Sequence, residues 1–389
     1  MGYPGTDKPR KAGLRPPRSA DLVIEGGTVI TMEAGNPLIR DVRIYISEGR
    51  ITDIRPIAEG PPLQECRGEI VDATNAIVMP GLVNGHTHVA MTLFRGFADD
   101  LPLKDWLYEK IFPAEAAFLS PETVYWGSLL GCLEMLSTGT TCMADGYFFQ
   151  DETVRAVHDS GMRGIIAQGI LDFPAPGVPD PKENLNVGKR FIEKWRSFSD
   201  RVTPGLFCHS PLTCSGKTLV DAFEISGTFG VPLQIHLSET EEEVDEIRKR
   251  YGKRPVHYLD RLGILSENLI AAHAVHLDDA EMARIGEKRV NIIHVPESNM
   301  KLGSGVSRIA DMLKMTVKLG LGTDGCASNN DLDLFCEMDT AAKLGKIMAA
   351  DSVFPDAETV LRMATSGGAA ALGLEKEIGT IEKGKKADI

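Results

Sequence analysis

The stretch MPGLVNGHTHVAM, residues 79 to 91, sets His86 and His88 two positions apart behind an apolar run. On a strand, residues i and i+2 share a face, so the two imidazoles can be offered side by side to one centre. Two histidines at a strand end also occur as hydrogen-bonded structural groups, and the rest of the chain has to decide between the readings. His236 follows PLQI and Asp324 follows LGLGT, so three imidazoles and a carboxylate could surround one divalent ion and leave a position open for water. Zinc is the default ion for that set, with iron(II) as the alternative. Such an ion makes water a nucleophile near neutral pH, and Asp324 then belongs to the catalytic group as well as to the ligands.

Glu239, three residues after His236, is placed to take the proton of that water and hand it to a substrate. It also lies at a helix start, SETEEE, where the dipole favours acids whatever their chemistry. His273 in AAHAVH could hydrogen-bond the attacking oxygen or the developing charge, whereas His276 faces the other way on an ideal strand. His209 in CHSP is a candidate substrate contact. His294 reads as a core or supporting group, and His158 and His257 as structural residues of helical stretches.

These residues need a scaffold that brings distant segments together. From Ile77 onward, eight short apolar runs alternate with amphipathic stretches: AIVMPGLVNGHTH, TTCMADG, RGIIAQGI, VTPGLFCHSP, PLQIHLSE, LIAAHAVH, VNIIHVPES and VKLGLGTDG. Strands buried on both faces read this way, and eight of them predict a (β/α)8 barrel over 77–369. Polar residues gather at the C-terminal ends of the runs, including Asp145, Gln168, Glu297 and Asn299, and those ends form the mouth where barrel enzymes keep their sites. Residues 20–76 show short alternating segments between Gly, Pro and Asn turns, predicting small antiparallel β structure. Residues 370–389 return to that rhythm and are expected to join it as a β-sandwich left incomplete at its C-terminal side. Residues 1–19, basic and rich in Pro and Gly, are expected to be a disordered extension. In SETEEEVDEIRKRYG the charges run acidic to basic, which suits a solvated helix face.

The totals narrow the function classes. The chain has 389 residues, 43% of them hydrophobic, and a net charge of -13, which disfavours nucleic acid or anionic membrane as partner. A small-molecule substrate is expected, with a homo-oligomer allowed. Seven cysteines without CxxC spacing predict buried free thiols in a reducing cytoplasm. No run has the length of a membrane span.

Taken together, PGLVNGHTH, IHLSET, AAHAVH, HVPESNMKLGSG and LGTDGCASNN, in that order, resemble the amidohydrolase superfamily in its one-metal branch that deaminates heterocycles. The resemblance spans about residues 20 to 389. It implies a (β/α)8 barrel beside a β-sandwich, with His86, His88, His236 and Asp324 as metal ligands, Glu239 as general acid/base and His273 as a catalytic histidine. The stretch HTHVAMTLFRGFADDLPLKDWLYEKIFPAEAAF is most similar to the S-adenosylhomocysteine and 5'-methylthioadenosine deaminases. That likeness implies Trp106 as a pocket aromatic, Glu115 as acceptor for the ribose hydroxyls and His209 against the purine. A carboxylate accepting from a cis-diol and an aromatic wall are chemically apt, while an ordinary helix pair would also account for Trp106 and Glu115. Where members acting on S-adenosylhomocysteine carry arginines, AQGILDFPAPGVPDPKENL offers Gln168 and Asp180, which points to an adenosine-type substrate with a small or apolar 5' group. The alternatives are another heterocycle, such as guanine, a pterin, cytosine or a triazine, and a barrel retained without catalysis as a scaffold.

Overall fold

The computed structural model describes residues 20–35, 38–60 and 68–389. The expected extension at 1–19 and Cys66 lie outside them. The described chain divides into a smaller unit, running through Pro80 with Thr380–Ala387 and Ile389, and a larger one, Gly81–Gly379 with Asp388.

In the larger unit, eight strands close a parallel barrel in sequence order: β1 (Leu82–Thr87), β2 (Thr140–Tyr147), β3 (Arg163–Ile170), β4 (Val202–Cys208), β5 (Leu233–Leu237), β6 (Leu269–His273), β7 (Asn291–His294) and β8 (Lys318–Leu321). The seam is made by Leu321 of β8 pairing with Asn84 of β1. The strands are buried over almost their whole length, which is why each reads as a continuous apolar run rather than an alternating one. Helices return the chain between strands, and their starts are encoded locally. Ser120, Ser215, Thr240, Asp278 and Asp356 each accept a backbone N–H of the first turn through the side chain. Helix Glu241–Tyr251 has Glu241 to Glu243 first and Arg248 to Arg250 last, as its dipole favours.

Two boundaries differ from the sequence expectation. AIVMPGLVNGHTH is two strands, because Pro80 offers no N–H to continue a ladder. Ile77–Val78 pairs with Thr28–Ile30 in the smaller unit, and β1 begins at Leu82. At the other end, residue 370 falls inside helix Ser366–Ala371, which closes the barrel. Its glycines permit close approach: a Cβ on Gly368 would lie 3.1 Å from Val83 of β1, and one on Gly367 would lie 2.8 Å from the Leu319 carbonyl of β8.

The smaller unit holds a four-stranded sheet in the order Arg50–Pro56, Val42–Ser47, Leu22–Glu25, Glu69–Asp72, and a three-stranded sheet in the order Leu38–Arg40, Thr28–Ile30, Ile77–Val78. It is not purely antiparallel, since Leu22–Glu25 with Glu69–Asp72 and Thr28–Ile30 with Ile77–Val78 run parallel. Ile24, Ile44 and Ile51 of one sheet share a core with Val29 and Val78 of the other and with Ile381 from the returning chain. Of the described cysteines five are buried, but Cys336 is exposed. No described helix is long and apolar enough to cross a membrane.

Candidate active site at the barrel mouth

The histidine pair stands where β1 ends. His86 is on the strand and His88 is the residue that turns the chain into the helical turn Val89–Phe94. Their ring centroids are 4.9 Å apart, and His236, next to last in β5, is 5.0 Å from His86 and 5.3 Å from His88. Asp324, three residues past β8, completes the group, with Oδ1 3.2 Å from His88 Nε2 and 3.5 Å from His86 Nε2. His236 Nε2 is 3.1 Å from His86 Nε2. Donors about 2.1 Å from one shared centre in a tetrahedral array stand about 3.4 Å apart, so these separations fit a single zinc-sized ion. All four residues are buried, and one ligand atom from each lies within 4.8 Å of the others.

The surrounding atoms orient these donors. His88 Nδ1 meets the Gly146 carbonyl at 2.5 Å, which commits that nitrogen as the donor and leaves Nε2 with its lone pair facing the cluster. Ser298 and Ser328 donate hydroxyls to Asp324 Oδ2 at 2.7 and 2.8 Å, leaving Oδ1 to the imidazoles. Burial lowers the pKa of His86 to about 4, and that of His236 well below the usual value. Both rings are therefore neutral at pH 7, the form that binds a metal. At His88 burial is outweighed by the hydrogen bond and charge of Asp324, which lift it to about 9. Burial would raise Asp324, yet the His86 and His88 hydrogen bonds hold it well below the carboxylate range. Without a metal His88 thus holds a proton beside Asp324, one that ligation of an ion through Nε2 would displace.

Backbone strain marks the same rim. Ser238, His273 and Asp324 have φ of 51°, 72° and 61°, in the left-handed region that non-glycine residues occupy at a cost. Glu239 and His273 meet there, with Glu239 Oε2 3.7 Å from His273 Nε2. His273 Nδ1 is 2.9 Å from Asn299 Oδ1, so Nδ1 donates and Nε2 is left toward Glu239. Burial, with the charge of Asp324, raises the Glu239 pKa, which suits a group that must take and return a proton.

A cavity opens above the cluster, walled by Trp106, Glu115, Tyr147, Phe207, His209 and Leu302 and reaching His88, His236, Glu239, His273 and Asp324. Trp106 is in a π-helical turn and Glu115 in the helix Phe112–Phe118 that follows. Glu115 is buried and accepts the Tyr147 hydroxyl at 2.6 Å, and burial first of all lifts its pKa to about 7 against that hydrogen bond. His209 Nδ1 is 3.1 Å from the Thr213 hydroxyl, which leaves Nε2 for a ligand. Burial lowers its pKa to about 3, so it is neutral.

Gln168 is the exception, and its expected substrate contact is corrected. Along and just past β3 the cavity is lined by Gly169, Ile170 and Leu171, and Gln168 is not among the lining residues. Its amide donates to the Gly169 carbonyl at 3.4 Å. The solvated face read from SETEEE also has an exception. Glu243 is buried and accepts the backbone N–H groups of Ser238 and Glu239 at 2.9 and 2.8 Å, bracing the segment that carries Glu239. Tyr147, Ser298 and Ser328 complete the site without a signal of their own in the sequence, and Asn299, visible as a polar residue at a run end, is the partner of His273. Three of them lie inside the motif blocks HVPESNMKLGSG and LGTDGCASNN, so their neighbourhood was visible although their roles were not. His276 points elsewhere, its Nε2 2.6 Å from the Ser304 carbonyl.

Comparison with known proteins agrees with this geometry. Residues 77–389 match the Amidohydrolase family. The chain is 43% identical over 370 residues to a 5-methylthioadenosine/S-adenosylhomocysteine deaminase of Syntrophobacter fumaroxidans, covering 95% of this chain and 84% of the relative. It is 45% identical over 373 residues to a 5'-deoxyadenosine deaminase of Methanosarcina mazei, with the same coverage. An adenosine deaminase of Xanthomonas campestris, solved with bound zinc, superposes with a TM-score of 0.88 at 39% identity, covering 96% of this chain and 84% of that one. With a closed eight-stranded parallel barrel, a His-His-His-Asp cluster at its mouth and these relatives, the chain belongs to the amidohydrolase family.

Proposed function

We propose that the chain is an aminohydrolase that removes the 6-amino group of an adenosine-type nucleoside, consuming water and releasing ammonia and the inosine analogue. The observation that carries this reading is the placement of Glu115 and the metal-type cluster on one cavity, which offers a ribose site and a hydrolytic centre to the same ligand. The nucleoside deaminases among its relatives support it.

His86, His88, His236 and Asp324 would hold one divalent ion, zinc by default and iron(II) as the alternative. When bound, the ion supplies Lewis-acid activation of water, worth several pKa units. Glu239 takes a proton from the nucleophilic water as its oxygen bonds to C6 and delivers that proton to the adjacent ring nitrogen; the second proton of the water then passes to the 6-amino nitrogen, the C6–N bond breaks, and ammonia leaves the 6-oxo purine. His273, held by Asn299, presents Nε2 to the reacting oxygen. His209 contacts the base through Nε2 and Trp106 supplies apolar wall. Glu115, fixed by Tyr147, keeps acceptor capacity for the two ribose hydroxyls.

Ammonia release tests the reading. The metal-loaded protein should deaminate at least one of adenosine, 5'-deoxyadenosine, 5'-methylthioadenosine and S-adenosylhomocysteine, and inactivity on all four with metal bound would remove the nucleoside assignment.

A further inference from the structure

AAHAVH carries a second histidine, His276, outside the reacting group. Directly after β6, residues Ala274, Val275 and His276 run between two other segments. On one side is the exit of β5. Ala274 donates its N–H to the Leu237 carbonyl at 2.9 Å, and Val275 and His276 donate theirs to the Ser238 carbonyl at 3.1 and 2.9 Å. On the other side is the loop 304–307. His276 Nε2 donates to the Ser304 carbonyl at 2.6 Å, and the Ser307 hydroxyl donates to the Ala274 carbonyl at 2.9 Å. A Cβ on Gly305 would stand 3.4 Å from His276 Nε2, so the loop backbone lies against the ring. Arg254 holds the residue from a third direction, donating from Nη2 to the His276 carbonyl at 2.7 Å while Nε pairs with the buried Glu281 at 2.8 Å.

These bonds close a circuit on Glu239 and His273. Ser304 turns its hydroxyl to Glu239 Oε1 at 3.4 Å and gives its N–H to the Asn299 carbonyl at 2.8 Å, while Asn299 Oδ1 accepts His273 Nδ1 at 2.9 Å. His276 therefore meets Glu239 twice: its backbone N–H secures the Ser238 carbonyl next to it, and its ring secures the serine whose hydroxyl reaches the carboxylate. The two contacts do different work. Ser238, at φ 51°, keeps that conformation only because its neighbours impose it, and Glu243 and the His276 backbone share the task. Backbone bracing still leaves the Glu239 side chain its own rotations, and Ser304 is the group that limits where the carboxylate comes to rest. A carbonyl oxygen can only accept, so His276 Nε2 carries the proton of its bond to Ser304. Neither His276 nor Ser304 is among the residues lining the cavity, so both act through Glu239 rather than on a ligand.

We infer that His276 is a positioning residue for the proton transfer: by holding Ser304 it fixes where the Glu239 carboxylate stands relative to His273. The inference rests on the hydrolytic deaminase reading above, in which Glu239 moves the proton.

The test is kcat and KM of the metal-loaded enzyme on the nucleoside it deaminates fastest, with metal content and affinity for an unreactive adenosine analogue measured on the same proteins. His276→Leu, which removes the donor, should lower kcat by about 10- to 100-fold, the cost of a misplaced catalytic group, with KM, analogue affinity and metal content within about twofold of native. His276→Gln, whose amide can donate from nearly the place of Nε2, should recover most of that loss. Ser304→Ala should lower kcat by about tenfold, and the His276→Leu/Ser304→Ala double variant should lose little more than His276→Leu alone, because both changes remove one contact. Ser304→Ala trims a single hydroxyl and carries the test alone if His276→Leu does not fold. An undiminished kcat in Ser304→Ala, a glutamine no better than leucine, losses that multiply in the double variant, or a loss carried by KM or metal content would each overturn the inference and leave deamination standing. Absence of ammonia from the native protein with adenosine, 5'-deoxyadenosine, 5'-methylthioadenosine and S-adenosylhomocysteine would overturn the reading beneath it, and the inference with it.

Discussion

At the scale of single residues, the site works by giving each polar atom one task. His273 spends Nδ1 on Asn299, His88 spends Nδ1 on Gly146 and Asp324 spends Oδ2 on two serines, so that the remaining donor atoms converge. Glu239 has no such second duty beyond a 3.4 Å contact from the Ser304 hydroxyl, as befits a group that must exchange a proton. Glu239→Gln, nearly isosteric, should lower kcat by about 10²- to 10⁴-fold while metal content and KM change little, read by ammonia release and metal analysis. Glu115 behaves differently. Its pKa near 7 reflects burial opposed by Tyr147, and the ionised form accepts more hydrogen bonds from a diol. Affinity for an unreactive adenosine analogue should therefore be full above pH 7 and weaken as pH falls through it, and Glu115→Gln should flatten that profile. Calorimetric titration across pH 6 to 8 reads this directly.

At the scale of elements, the strand ends decide everything, and this was the legible part of the sequence. Each of the eight apolar runs holds a barrel strand, and the histidines and acids at their ends reach one mouth because parallel strands end together. What eluded sequence reading was facing and support. Gln168 sits near a strand end as expected, yet the cavity wall there is made by Gly169, Ile170 and Leu171, which no local pattern reveals. Glu243 carries the same residue type as its exposed neighbours, and only the path of the chain around Ser238 shows that it braces Glu239. Tyr147 pairs with Glu115 across 32 residues, a contact invisible before the fold is known. The β1–β8 seam offers a test at this scale. A Cβ on Gly322 would stand 2.7 Å from the His86 nitrogen and 2.8 Å from its carbonyl oxygen. Gly322→Ala should cost roughly 1–3 kcal/mol by overpacking and also lower metal affinity, because the displaced backbone is that of a ligand. Thermal unfolding with and without added zinc separates the two effects.

At the scale of the whole molecule, a hydrolytic centre is assembled from β1, β5, β6 and the segment after β8, so the ion would link parts of the chain more than 200 residues apart. An ion that binds the folded state alone stabilises it by mass action, about 2.7 kcal/mol at a hundred times its Kd. Stripping the metal should thus lower Tm together with activity, and zinc should restore both. The organisation into a barrel and a smaller β unit was foreseeable from the change of rhythm near Ile77, but the break at Pro80 and the return at Thr380 depend on strand partners distant in sequence. The central claim is that His86, His88, His236 and Asp324 share one ion. Elemental analysis of the purified protein and of a His86→Ala/His236→Ala double variant that retains its fold by circular dichroism tests it most directly. The native protein should hold one tightly bound divalent ion per chain and the variant almost none. An equal metal content in the two proteins would contradict it.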